Sequence, residues 1–185
     1  TASGDKTVKI WDAKFGGLLT DLKGHTDYIT FASFSSSGER IITTSSDKTS
    51  KIWNAETGEL IMDLKGDKEA INCGAFSPDD KKIVTTTFGS SARVYDSNSG
   101  ELLIELKWQH DDIRSTSPTQ NVGSVFFSPD GKKILIASGD INAKLWESET
   151  GKLLIELKGH TNIVPRAIFS SDGKRILTAS WDNTS

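Results

Sequence analysis

The sequence is poor in the residues on which much chemistry depends, with one cysteine, Cys73, and three histidines among 185 residues. A lone thiol excludes an internal disulfide framework and a cysteine-rich zinc site together, so a reducing, cytoplasmic setting is the expectation. No stretch approaches the roughly 20 apolar residues of a membrane-spanning helix, and the opening residues lack the regions of a secretory signal. A membrane partner is therefore not expected. Excess charge of one sign is missing as well: 22 Lys and Arg stand against 25 Asp and Glu, for a net charge of -3. Without a basic face or run, nucleic acid is not an expected partner either. There is no Gly-rich phosphate loop of the GxxxxGK[ST] kind. The one methionine is Met62, and the chain is expected to begin inside a longer unit.

A long repeat is what the sequence has. Trp11, Trp53 and Tyr95 are spaced by 42 residues, and Trp146 follows 51 further on. Phe34, Phe76, Phe127 and Phe169 show the same jump between the second and third members. An insertion of nine residues therefore falls between Lys107 and Val122. Within each unit, alternation and turn residues mark four short strands: "YITFASF", the turn "SSSGE", "RIITTS", a tight "SDKT", "SKIW", the turn "NAETG" and "ELIMDLK". Gly16, Gly58, Gly100 and Gly151 each stand five residues after the aromatic, where positive φ lets the chain reverse. No segment keeps a helical period, so the fold class is all-β. One four-stranded unit cannot bury both its faces alone, and radial packing of such units gives a β-propeller.

The stretch "GHTDYITFASFSSSGERIITTSSDKTSKIWNA" resembles the WD-repeat family of propellers. It has Gly-His at the opening, a Ser/Thr-rich second strand, Asp in the tight turn and Trp closing the third strand. The resemblance covers essentially the whole chain. It implies three full blades (24–65, 66–107 and 108–158) and two complementary half blades (1–23 and 159–185), with the insertion 108–121 on the top face. It also implies a structural tetrad of His, Ser/Thr, Asp and Trp inside a blade. The complete set is His25, Thr43, Asp47 and Trp53; partial sets are His160, Thr178 and Asp182, and Thr1, Asp5 and Trp11. The second unit departs together at Asp67, Gly89 and Tyr95, and the third has Pro118 and Ile136 in the His and Thr registers while keeping Asp140 and Trp146. Those blades are expected to rely on apolar packing, because a half-satisfied buried network is worse than none.

An Asp, a His and a Thr in one cluster is also the material of a catalytic triad. The spacing recurs around the chain, though, as an architectural bond does and a unique active site does not; no catalytic residue is assigned. His110, beside Asp111 and Asp112, is the one histidine outside the Gly-His signature, and a solvated acidic loop is its expected role rather than a metal site. Cys73 is read as a small buried or channel-lining residue of an innermost strand. No cofactor is expected.

Function is then expected in loops carried on a rigid ring. The resemblance places ligand contacts six and four residues before the strand-ending Phe and just before the turn Asp. Those registers include Tyr28, Thr30, Asn72, Asn121, Ile163 and Pro165, with Phe88 and Trp181 in the turns. Trp108 and His110 open the insertion. Exposed aromatics are preferred interface anchors, and the other reading of Phe88 and Trp181 is that they lie flat on neighbouring loops. The function expected is a non-enzymatic scaffold binding a protein or peptide on the top face. The alternative is a regulatory arm of a larger signalling protein with a kinase, NTPase or protease-like domain, and third comes an enzyme with a channel site. "TASGDKT" at the start and "TASWDNT" near the end put both half blades at one phase of the repeat. A fragment of a longer array, or a homodimer closing an eight-bladed ring, is the expectation that follows.

Overall fold

Short alternating segments cut by Gly, Ser and Asp turns fold as strands throughout. The structure, a computed structural model, describes residues 3–64, 68–88, 91–108, 123–137 and 141–184. The Thr1, Asp67, Gly89, Asp140, Pro118, Asn121 and His110 readings, and nearly all of the insertion, lie outside the described residues. Among the described residues there are sixteen strands and no helix. They are β1 (Thr7–Trp11), β2 (Leu18–Lys23), β3 (Ile29–Phe34), β4 (Arg40–Ser45), β5 (Ser50–Asn54), β6 (Leu60–Leu64), β7 (Ile71–Phe76) and β8 (Lys82–Thr87). The chain continues through β9 (Ser91–Asp96), β10 (Leu102–Lys107), β11 (Ser124–Phe127), β12 (Lys133–Ala137), β13 (Ala143–Glu147), β14 (Leu153–Leu157), β15 (Arg166–Phe169) and β16 (Ile176–Ala179).

Every pairing is between chain neighbours and antiparallel, giving three four-stranded sheets, β3–β6, β7–β10 and β11–β14, with two-stranded sheets β1–β2 and β15–β16 at the ends. This is the all-β blade architecture that the repeat predicts, and the ring is not closed. The middle strands β4, β8 and β12 are buried on both faces nearly throughout, because each sheet is sandwiched between its neighbours. The core accordingly lies between blades. Ile42, Ile52 and Leu64 pack with Phe76, Ile83 and Tyr95 of the next sheet, and Val84, Val94 and Leu106 pack with Val125, Ile134 and Trp146 of the one after.

The turn between third and fourth strands ties each blade to the one before. Gly100 has φ of 73°, and a Cβ built there would sit 2.7 Å from Sδ of Met62 on the preceding outer strand. A side chain is thus excluded both by conformation and by space. On the inner side, the first strands of successive blades are stitched side by side. Thr30 Oγ1 donates to the Ile71 carbonyl at 2.7 Å, and Ser124 Oγ accepts from the Ala167 amide at 3.0 Å. With the Cys73 thiol on the Gly123 carbonyl just before β11, these contacts align β3, β7, β11 and β15 as one inner wall.

Candidate functional site

The Gly-His blade contains a closed hydrogen-bond chain. Trp53 Nε1 donates to Thr43 Oγ1 at 2.9 Å, and Thr43 Oγ1 lies 2.7 Å from His25 Nε2. On the other side of the ring, His25 Nδ1 is 2.8 Å from Asp47 Oδ2. Since a carboxylate only accepts, Nδ1 carries the proton and Nε2 accepts from the Thr43 hydroxyl. Asp47 also accepts from the Thr26 amide, the Thr49 amide and the Thr49 hydroxyl. Burial raises its pKa, but these donors outweigh that and hold it at about 2. Burial pushes the His25 pKa down against the pull of Asp47, so the imidazole is neutral at neutral pH and the contact is a hydrogen bond rather than an ion pair. The two side chains are 2 % and 6 % exposed, which leaves no room beside them for a substrate.

The partial sets are less complete. His160 Nδ1 lies 2.9 Å from Asp182 Oδ2 and Nε2 lies 2.9 Å from Thr178 Oγ1, the same arrangement as in the complete blade. His160 and Thr178 border a cleft of about 720 Å³ along β14 and β16. At the other end Asp5 accepts from the amide and hydroxyl of Thr7, and Trp11 is 44 % exposed. In the third blade Ile136 is buried in the Thr register, and Trp146 Nε1 finds no acceptor among the described residues.

A second region has the open geometry that the tetrad lacks. The inner wall forms the floor of a groove of about 660 Å³ lined by Thr30, Phe31, Asn72, Cys73, Phe126 and Arg166, among others, with Phe88 and Trp181 among its lining residues too. Phe88 and Trp181 occupy the same register in their tight turns. Each turn is pinned to the loop entering the first strand: the Phe88 amide donates to the Ala70 carbonyl at 3.1 Å, and the Trp181 amide to that of Ile163 at 3.0 Å. The Cys73 thiol donates to the Gly123 carbonyl at 2.9 Å, and burial, opposed by the Arg166 charge, pushes its pKa up to about 12. It is therefore a protonated wall residue and a poor nucleophile.

Of the contact residues read from sequence, the structure brings Thr30, Asn72, Phe88, Pro165 and Trp181 to this groove. It does not bring Tyr28, Ile163 or Trp108 there. Ile163 is 7 % exposed, so its side chain serves the interior, and the expectation of a contact residue there is corrected. Trp108 is partly buried and packs on Trp146 with ring centroids 6.0 Å apart, so its indole lies against a core and outside the groove. Tyr28 is 61 % exposed but lies outside the groove, its ring against the Gly4 backbone position.

Sequence reasoning missed Phe31, Phe126, Ser124 and Arg166. A register signal existed for three of them: Phe31, Cys73, Ser124 and Arg166 all stand three residues before the strand-ending Phe. At Phe31 and Cys73 what hid it is a bulge. Pairing shifts between Ile29 and Phe31 and between Ile71 and Cys73, so that Thr30 and Asn72 are extra residues and consecutive side chains reach the same groove. Among the described residues no group of three or more His, Cys, Asp or Glu side chains is placed to hold a metal ion.

Comparison with known proteins adds the following. The family model described as "WD domain, G-beta repeat" matches residues 16–54, 58–96, 110–147 and 151–184. A stretch of 37 residues is 49% identical to U3 small nucleolar RNA-associated protein 15 of Schizosaccharomyces pombe, covering 20% of this chain and 8% of that protein. Another of 47 residues is 45% identical to a Notchless protein homolog of Arabidopsis thaliana, covering 25% of this chain and 10% of the relative. The matched stretches span a tenth or less of the length of these curated relatives.

Proposed function

From a chain that belongs to the WD-repeat family, whose repeats generally mediate protein–protein interaction and are typically non-catalytic, we propose a scaffold that binds a protein or peptide in the groove under Phe88 and Trp181. The observation that carries this reading is the groove itself: its walls combine aromatic rings from several blades, and Trp181 is 43 % exposed. Large amphipathic rings on pinned turns lose little conformational freedom on binding, which is why such residues anchor interfaces. The tetrad supports the same conclusion from the other side, because its polar atoms are consumed in holding a blade together.

The name of one relative associates that protein with a small nucleolar RNA. Here the net charge is -3 and Arg166 is the one charged side chain among the described residues lining the groove. That balance favours a protein partner over a polyanion.

The experiment is a comparison of affinity capture by the chain, by Trp181→Ala and by Phe15→Ala, the last being a control at an aromatic 79 % exposed on an outer turn. Partner recovery lost in Trp181→Ala and kept in Phe15→Ala is the expected result. Equal recovery with all three overturns the assignment of the groove.

A further inference from the structure

Resting on that reading, we propose that the groove selects a peptide segment carrying an Asp or Glu carboxylate next to an apolar or aromatic residue. Two side chains in it have unmet demands. Asn72 is 5 % exposed, and its Nδ2 has no acceptor among the described residues. A buried amide donor without a partner is unfavourable, and a ligand oxygen meets that need. Arg166 is exposed at the start of β15, and its guanidinium makes no hydrogen bond or ion pair with another described residue. No Asp or Glu is among the described residues that line the groove, so among them its one cation has no counter-charge.

The ligand must therefore supply acceptors and negative charge together with apolar surface. The aromatic walls are Phe31, Phe88, Phe126 and Trp181, which suit a flat or branched apolar side chain. A carboxylate is favoured over a phosphate because a planar anion matches one guanidinium fork, whereas phosphorylated motifs are held by clusters of arginines. The bulge at Asn72 makes the arrangement possible: it turns the amide into the groove while Cys73, the next residue, still packs in the inner wall.

The test uses immobilised heptapeptides with Glu, Gln, Lys or phosphoserine at the centre, each flanked by Leu, Phe, Trp or Gly. They are probed with the chain and with Arg166→Gln, Arg166→Glu and Trp181→Ala. Glu peptides with an apolar neighbour should bind about tenfold or more tighter than their Gln counterparts. Arg166→Gln should erase that preference and Arg166→Glu should turn it toward Lys. Because Arg166 is exposed, unchanged melting curves should accompany both changes. Binding that depends on Trp181 but is equal for Glu, Gln and Lys overturns the charge selection while leaving the interaction reading in place. Tighter binding of phosphoserine than of Glu overturns the choice of carboxylate. Failure of every peptide to bind overturns both.

Discussion

The guanidinium of Arg40 donates to the backbone carbonyl of Asp80 at 2.5 Å, across the seam between two blades. Arg40 also reaches the Ser97 carbonyl at 2.9 Å and lies 5.0 Å from the centroid of the Phe76 ring. In return the Asp80 carboxylate accepts from the Ser36 and Ser37 amides at 2.7 and 2.9 Å. Asp80 has φ of 58° where the sister turns have Gly38, Gly131 and Gly173, also at positive φ. The blade thus keeps a left-handed aspartate because its side chain caps the neighbouring turn.

Two substitutions separate conformation from capping. Asp80→Ala loses both caps and keeps the strained backbone, and should cost about 1–2 kcal/mol. Asp80→Gly loses the same caps but relaxes the backbone, and should be better by up to about 1 kcal/mol. Urea midpoints of the two variants decide it; a glycine variant no more stable than the alanine one removes the conformational part of the argument.

Thr43 is the hinge of the tetrad, since its one hydroxyl serves both Trp53 Nε1 and His25 Nε2. Thr43→Val keeps the volume and strands both partners, for a loss of about 2–4 kcal/mol at one to two per unmet group. In the third blade the situation is reversed: Ile136 sits in the Thr register and Trp146 Nε1 lacks an acceptor. Ile136→Thr loses apolar surface but supplies that acceptor, so it should cost less than Thr43→Val. Thermal unfolding of the pair checks the order.

Stability should fall on acidification, and the tetrad gives the direction. Burial holds His25 below its ordinary value of 6.5, so the unfolded chain takes up a proton near that pH while the folded one does not. The folded state is therefore at its advantage above 6.5 and loses ground as pH falls below it. Asp47, held at about 2 against an ordinary 3.8, acts in the same direction at lower pH: its contribution is full above 3.8 and is lost as pH falls toward 2. Between pH about 7 and 5 the slope from His25 amounts to at most about one proton. His25→Gln should be less stable at neutral pH and show a flatter pH dependence over that interval. An unchanged slope in urea titrations refutes a neutral His25.

Period and turn residues made the architecture legible before any coordinates, because a repeat must present the same strands and turns each time. Phe88 and Trp181 were legible too, as aromatics in turns where Ser46 stands in the sister blade. Phe31 was not, because alternation assigns consecutive residues to opposite faces and the bulge at Thr30 breaks that rule. Arg166 was not either, because β15 pairs regularly and nothing in its local pattern marks a side chain that faces an open groove. Ile163 misled in the other direction: its register fits a contact, yet the side chain is 7 % exposed. Register alone does not say whether a loop side chain turns out or in. That is decided by neighbours far away in sequence.

Gly74 shows the same dependence on distant neighbours in the core. It lies on β7 with negative φ, and a Cβ there would fall 2.7 Å from Cδ1 of Ile42 and 3.1 Å from Cγ2 of Thr44, on β4 of the preceding blade. The corresponding residues of the later blades are Val125 and Ala167, which pack in clusters with Val84 and Leu135, the counterparts of Ile42. Glycine against isoleucine, valine against valine and alanine against leucine fill each seam with compensating volumes, as dense packing requires. Gly74→Ala should therefore cost about 1–3 kcal/mol through overpacking, and Ile42→Val alone about 0.5–1.5 kcal/mol through lost volume. Combined, the two changes should cost less than their sum, because the removed methyl makes room for the added one. A double-mutant cycle by chemical denaturation measures that coupling. Strict additivity would show that the seam is not filled by this pair.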